Sequence, residues 1–242
     1  MTRRRWIADT WSDTTATLTG DQAHHLSRVL RAEVGTEFDV VAGEGVWRAV
    51  ISSATEAAVE FHLLEPVASS VTLSITVLLS VFKFDRFEWA IEKLTELGVA
   101  AIEPVITRRT EKHLAQAALN RVERWRRIAL EAAKQSRRSS IPVVADPRPL
   151  RERLRAPQVP AMLLLLAEEE KQQTLLRALE LKASASEQNI FLAVGPEGGW
   201  TPEEMTLFQE HSWTPVSLGS TILRAETAAI AAGSVVAAWM GG

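Results

Sequence analysis

The chain has 242 residues, 46% hydrophobic and 24% charged, with no cysteine and a net charge of −3. That length suits two domains with sizeable cores, and the composition excludes a disordered chain. The missing cysteine excludes disulfides, thiolate metal sites and cysteine nucleophiles together, and it fits a reducing compartment.

The start, Met1 to Trp6, carries Arg3, Arg4 and Arg5 but no apolar core follows; Asp9, Asp13 and Asp21 arrive instead, unlike a signal peptide. The first 65 or so residues read as β-rich. Thr36–Ala42, Val46–Ser53 and Ala57–Leu64 are short runs rich in Val, Ile, Phe and Trp, bounded by turn residues such as Gly43-Glu44-Gly45. In the last run Val59, Phe61 and Leu63 alternate with Glu60 and His62, the period of a half-buried strand. One helix is expected at Asp21–Arg31, with Leu26, Val29 and Leu30 on one side. Short strands around one helix predict a small barrel or sandwich, and Glu65–Ser70 reads as a linker.

Beyond it strand and helix alternate. Val71–Val81 is a long apolar strand, and Asp85 with Glu88 has capping-box spacing ahead of a buried stripe of Phe87, Ala90, Ile91, Leu94 and Leu97, ended by Gly98. Val99–Ile106 contains Pro104 and belongs at an edge or strand end. Asn120 with Glu123 is expected to cap a second helix running to Ser136. Ile141–Val144, Ala161–Ala167, Ile190–Val194 and Pro215–Leu218 are further strands, with helices near Thr174–Leu181, Pro202–His211 and Ala225–Met240. Near-continuous apolar strands separated by helices predict a parallel sheet covered on both faces. Ala228–Met240, the longest weakly polar run at 13 residues, falls short of the roughly 18 to 20 a membrane span needs. A soluble, cytoplasmic protein is expected.

Charge is segregated. Thr107–Arg151 holds 12 Lys+Arg against 4 Asp+Glu, whereas Ala32–Ile106 holds 4 against 12. A positive stretch on an acidic chain is the footprint of a polyanion partner, although a solvated helix face reads the same way.

Ligands of open parallel sheets sit beyond the carboxyl ends of strands, and two such junctions here have unusual composition. In Val194-Gly195-Pro196-Glu197-Gly198-Gly199-Trp200-Thr201-Pro202 the glycines permit close approach of a ligand, and Thr201, Pro202 and Glu204 make a strong helix start. The spacing matches neither phosphate-binding fingerprint, and Glu197 suits a cationic or neutral ligand. A tight turn with a surface carboxylate is the plain alternative. The second junction, Leu218-Gly219-Ser220-Thr221-Ile222-Leu223-Arg224-Ala225-Glu226-Thr227, carries Arg224 and Glu226 at a helix start, where an ion pair or cap is the ordinary reading. Metal catalysis is not expected, since no two of the five histidines have i, i+4 spacing.

Taken together, Gly195–Gly199 followed by Thr201-Pro202-Glu203-Glu204, and Leu218-Gly219 leading into Ile222–Ala228, resemble the RsmE family of small-subunit ribosomal RNA uracil-N3 methyltransferases, within the SPOUT superfamily. His24–Arg31, Glu96–Val99 and Glu131–Arg138 are similar to further motifs of that family, in the same order. Arg137, Ser220-Thr221 and Phe82-Lys83-Phe84 depart from its usual residues.

The resemblance implies an α/β protein: a PUA-like barrel over residues 1–68 and a SPOUT parallel sheet with a trefoil knot over 69–242. It implies S-adenosylmethionine as cofactor, a homodimer, and methylation of one uridine near the 3′ end of 16S ribosomal RNA. Val194, Gly195, Pro196, Glu197, Gly198, Gly199, Leu218, Gly219, Ile222, Leu223 and Arg224 are its expected cofactor residues. N3 lies on the pairing edge of uracil, so the base must be unpaired before reaction. Arg224 is the candidate donor to a uracil carbonyl, Glu226 an orienting group or proton acceptor, and Arg138 a second donor. Arg3, Arg4, Arg5, His25, Arg28, Arg31, Arg108, Arg109, Arg137 and Arg138 are the candidate RNA contacts, gripping phosphates; Trp6 and Trp11 are candidates for stacking on bases. Two other functions stay open on residues alone: a non-catalytic RNA-binding or assembly factor, and a SPOUT enzyme acting elsewhere on RNA.

Overall fold

The computed structural model describes residues 5–43, 45–67, 74–136, 138–156, 160–182 and 189–241. The chain divides into two compact units, Met1–Thr72 with Ala133–Ser140, and Leu73–Ala132 with Ile141–Gly242.

In the first unit β1 (Arg5–Ile7), β2 (Thr10–Trp11) and β3 (Thr15–Thr19) precede α1 (Gly20–His24), and β4 (Glu37–Ala42), β5 (Gly45–Ala54) and β6 (Ala58–Val67) follow. The sheet order is β1-β4-β5-β6-β3-β2. β1 and β2 stand at opposite ends of that order, yet only Ala8 and Asp9 separate them in the chain. The sheet therefore curls until one segment serves both edges: Ala8 N–H donates to Val41 O and Asp9 N–H to Thr17 O, each at 2.9 Å. Curling leaves few unpaired edge amides and encloses Leu18, Leu26, Val40, Ile51, Val59 and Phe61. The expected helix is interrupted. After α1 the chain makes one wide π turn, His25–Val29, with Leu30 N–H bonded to His25 O at 2.9 Å. Arg31 then turns left-handed at φ 50°. Glu65, Pro66 and Val67 are not linker but the end of β6, paired with Arg48, Trp47 and Val46; residues 68–70 of the expected linker lie outside the described residues.

The second unit runs β7 (Ile75–Ser80), α2 (Phe84–Glu96), β8 (Ala101–Ile106), α3 (Lys112–Ala117), a 3₁₀ turn (Ala118–Arg121), α4 (Val122–Gln135), β9 (Val143–Val144), β10 (Arg148–Pro149), α5 (Leu150–Arg155), β11 (Met162–Leu166), α6 (Leu175–Lys182), β12 (Ile190–Val194), α7 (Pro202–Glu210), β13 (Thr214–Val216) and α8 (Ala225–Trp239). The last turn of α4 already belongs to the first unit. All strand pairs here are parallel, in the order β10-β8-β7-β12-β11-β13, with β9 also on β8. β8 is not the expected edge strand, since β7 flanks it on one side and β9 and β10 on the other, and Pro104 lies mid-strand. Its missing N–H is accommodated because β9 pairs Ala101 and Ile102, β10 pairs Val105 and Ile106, and among the described residues no strand pairs the proline on that side.

Both faces of the sheet are buried, which is why the strands read as continuous apolar runs. Ile190, Leu192 and Val194 pack under α2, α4, α6 and α8, whereas Phe191 and Ala193 face α5 and α7. Gly233 lets α8 lie close on α2, since a Cβ there would stand 2.9 Å from Leu94 Cδ2.

Two expected caps are absent. α2 starts one residue before Asp85, with Lys83 at the N-cap and no side-chain cap. Glu88 instead faces Arg121 and Arg124 at 3.5 and 2.8 Å, because those guanidiniums offer stronger partners than a free amide. Asn120 falls inside the 3₁₀ turn ahead of α4, and Glu123 bonds Arg126 at 2.6 Å.

Candidate active site

β12, β11 and β13 are neighbours, so the loops at their carboxyl ends converge. They enclose a cavity of about 510 Å³ lined by Leu166–Glu169, Val194–Trp200 and Val216–Leu223, with Arg109, Pro202, Met205, Ala225 and Ala228. Ten of the eleven expected cofactor residues line it: Val194, Gly195, Pro196, Glu197, Gly198, Gly199, Leu218, Gly219, Ile222 and Leu223. Arg224 does not; it is exposed at the N-cap of α8. The β11 wall, Leu166–Glu169, was not expected, although Glu168-Glu169-Glu170 directly after an apolar strand was a visible signal.

The glycine loop is held from four sides. Thr201 and Glu204 form the expected capping box, with Thr201 N–H donating to Glu204 Oε2 at 3.0 Å and Glu204 N–H to Thr201 Oγ1 at 3.3 Å. The buried Glu204 carboxylate also accepts from Arg108 N–H at 2.8 Å, tying the loop to the turn after β8. Trp200 Nε1–H donates to Leu166 O at 2.8 Å, and its indole packs over Gly195, where a Cβ would come within 3.2 Å of the ring. Arg109 donates to Gly198 O, and Arg86 Nη1 to Glu197 Oε1 at 2.5 Å. Gly199 adopts φ +72°, a conformation that a side chain would strain.

Glu168, Glu169 and Glu197 face the cavity against one cation, Arg109. Such a lining suits a ligand carrying positive charge in a mostly apolar cleft, and the volume fits a ligand of nucleoside size. A smaller cavity of about 150 Å³ lies beyond the glycine loop, between Phe82, Lys83, Arg109, Glu111 and Glu197.

The remaining candidates scatter. Glu226, second in α8, is buried; its Oε1 lies 3.7 Å from Arg86 Nε, a residue that sequence reading overlooked. Arg138 belongs to the first unit, half-buried, with Nη2 3.5 Å from Ser140 Oγ, and desolvation pushes its pKa down to about 10. In the same unit His25, Arg28 and Arg31 are exposed on and after the π turn, Arg28 paired with Glu56, while Arg5 is half-buried. Trp6 is buried in that core and Trp11 is 57% exposed. Arg3, Arg4 and Arg137 lie outside the described residues. Arg108 and Arg109 are exposed, but Arg121, Arg124 and Arg126 of the basic segment are engaged by Glu88, Glu123 and Asp146. Those contacts raise the pKa of Arg124 and Arg126, through hydrogen bonds to Glu88 and Glu123 first. Among the described residues no group of three His, Cys, Asp or Glu is placed to hold a metal, and no helix is long and apolar enough to cross a membrane.

Residues 69–237 match the profile of the RNA methyltransferase domain family, and residues 18–64 match that of the RNA methyltransferase PUA domain. Ribosomal RNA small subunit methyltransferase E of Synechocystis is 40% identical over 219 residues, covering 89% of this chain and 70% of its own. The chain belongs to the RsmE family. The Bacillus subtilis protein of the same name is 30% identical over 92% of this chain and 89% of its own. Among solved structures, the Neisseria gonorrhoeae member bound to S-adenosylmethionine aligns with a TM-score of 0.77 at 28% identity, covering 96% of this chain and 95% of that one. A putative methyltransferase from Legionella pneumophila, also in complex with S-adenosylmethionine, aligns with a TM-score of 0.71 at 26% identity over 98% and 97%. The C-terminal parallel sheet is thus a SPOUT sheet and the curled N-terminal sheet a PUA-like one.

Proposed function

We infer that this chain is an S-adenosylmethionine-dependent methyltransferase of small-subunit ribosomal RNA, and that its target is N3 of one uridine near the 3′ end of 16S RNA. The observation that carries the reading is the three-loop cavity at the carboxyl edge of β12, β11 and β13, with its carboxylate-bearing wall, in a chain of the RsmE family. The knotted form of those loops, a homodimeric assembly and a cytoplasmic location belong to the same proposal.

S-adenosylmethionine supplies an electrophilic methyl group on a sulfonium. The chain's tasks are orientation, exclusion of water and handling of the N3 proton. The three loops supply the first two: Leu166, Val194, Pro196 and Leu223 give apolar wall, and Glu168, Glu169 and Glu197 give charge that favours a cation. Arg224, exposed beside cavity-lining Leu223 and Ala225, donates to a uracil carbonyl as N3 gives up its proton to water, and the buried Glu226 is an orienting group two residues on. Arg138, half-buried beside Ser140, serves as the second donor. Arg5, His25, Arg28, Arg31 and Arg108, joined by Arg3, Arg4 and Arg137, grip phosphates and give salt dependence rather than sequence choice.

The test is transfer of labelled methyl from S-adenosylmethionine to small subunits that lack the modification, followed by nucleoside analysis. 3-Methyluridine is expected; another methylated nucleoside would refute the target, and no transfer would refute the activity. Arg224→Ala should lower single-turnover methylation by about a hundredfold with cofactor binding retained, and an unchanged rate would remove Arg224 from the reaction.

A further inference from the structure

One side chain outside the cavity touches both the glycine loop and the start of α8. Arg86 lies in the first turn of α2, with Nη1 2.5 Å from Glu197 Oε1 and Nε 3.7 Å from Glu226 Oε1. Glu197 is the middle of the glycine loop and lines both cavities. Glu226 is the second residue of α8, separated from the Leu218–Arg224 loop by Ala225, and its side chain is 5% exposed. Its Oε2 is buried with no hydrogen-bond partner among the described residues. Glu226 stands in the first turn of α8, and Arg86 is its ion-pair partner among the described residues.

We propose that Arg86 is a positioning residue for the methyl donor: by bridging Glu197 and Glu226 it fixes the glycine-loop carboxylate at the cavity wall and locks that loop to the start of α8. Arg86 lines neither cavity, so it acts on a ligand only through Glu197. The planar guanidinium can present separate N–H groups to two carboxylates at once, which the single ammonium of lysine cannot do in the same geometry. With Arg86 removed, Glu197 loses its fixed direction and Glu226 is left as a buried carboxyl without that partner. Neither role was visible in the sequence, because 111 residues separate Arg86 from Glu197.

The inference rests on the larger cavity being the S-adenosylmethionine site. The experiment is calorimetric titration of that cofactor into the wild type, Arg86→Met, Arg86→Lys, Glu197→Gln and the Arg86→Met/Glu197→Gln double variant, with the melting temperature of each recorded. Arg86→Met should weaken cofactor binding by about tenfold, and Arg86→Lys should recover part of the loss. On the Glu197→Gln background, Arg86→Met should cost no further affinity, because the two residues act as a unit. Unchanged affinity in Arg86→Met, or losses that multiply in the double variant, would overturn the proposal. Should Arg86→Met fail to fold, Arg86→Lys with and without Glu197→Gln reads the same coupling. A wild type that binds no cofactor would fell the site assignment itself, and this inference with it.

Discussion

The two long loops of the cavity are built in opposite ways. The glycine loop, Gly195–Thr201, is fastened by Trp200 to Leu166, by Glu204 to Thr201 and Arg108, and by Arg109 and Arg86 to Gly198 and Glu197. The loop between β13 and α8 is tied only at its base, where Ser217 N–H donates to Gln173 O at 2.9 Å and Leu175 N–H to Ser217 O at 2.8 Å. Beyond that, Leu218–Leu223 make no hydrogen bond to other described residues, and Ile222 is 76% exposed. One wall of the cavity is set in advance, and the other has its apolar side chains and free amides available to a ligand. Binding then loses ordering entropy at one loop rather than two.

The contrast breaks most sharply at Glu204. Glu204→Ala removes the acceptor of two backbone amides and half of a capping box, so unfolding free energy should fall by about 2 kcal/mol, read by chemical denaturation. A loss within error would mean that the loop holds its shape without that anchor. Gly219→Ala probes the other wall. Gly219 has φ +126°, and a Cβ there would meet no described atom within 4 Å, so the alanine is strained without a clash and the cost is about 1 kcal/mol or less. It should appear chiefly as weaker cofactor binding by calorimetry. An equal fall in melting temperature and affinity would make the second loop a structural element like the first.

The smallest effect concerns Glu203, exposed in the first turn of α7. Its carboxyl is held below the usual range by its own backbone amide and the Thr201 side chain, with Arg108 and Arg109 adding to it. A lowered carboxylate pKa means that the folded form favours the ion. Its stabilising contribution is therefore complete above the ordinary carboxylate range and is lost as pH falls through the lowered value. Glu203→Gln should flatten the acid limb of the stability profile of this unit slightly, and an unaltered limb would contradict the assignment.

Much of the second unit was legible because both faces of its sheet are buried, so its strands stand out as apolar runs and its loops as breaks between them. The Thr201-Pro202-Glu204 helix start was readable to the residue, since capping is local chemistry. Caps at Asp85 and Asn120 were misread for different reasons: tertiary partners, Arg121 and Arg124, take Glu88, whereas Asn120 falls in a 3₁₀ turn and Glu123 pairs with Arg126 one turn on in the same helix. β1, β2 and β10 are two or three residues long and carry no periodicity. The end of β6 was hidden by Pro66, which looks like a linker residue but pairs with Trp47. Glycine-rich and Arg-Ala-Glu-Thr segments marked two walls of the cavity, yet the third wall and Arg86 depend on strand order and on contacts between distant segments. The basic segment showed its charge in sequence but not the carboxylates that engage much of it.

The most direct test is amide hydrogen exchange of residues 195–201 and 217–224, measured with and without S-adenosylmethionine. The glycine loop should be protected from the start and change little, while the Leu218–Arg224 loop should exchange fast alone and gain protection when the cofactor is added. Protection unchanged in both loops, or gained mainly in the glycine loop, would contradict this contrast between them.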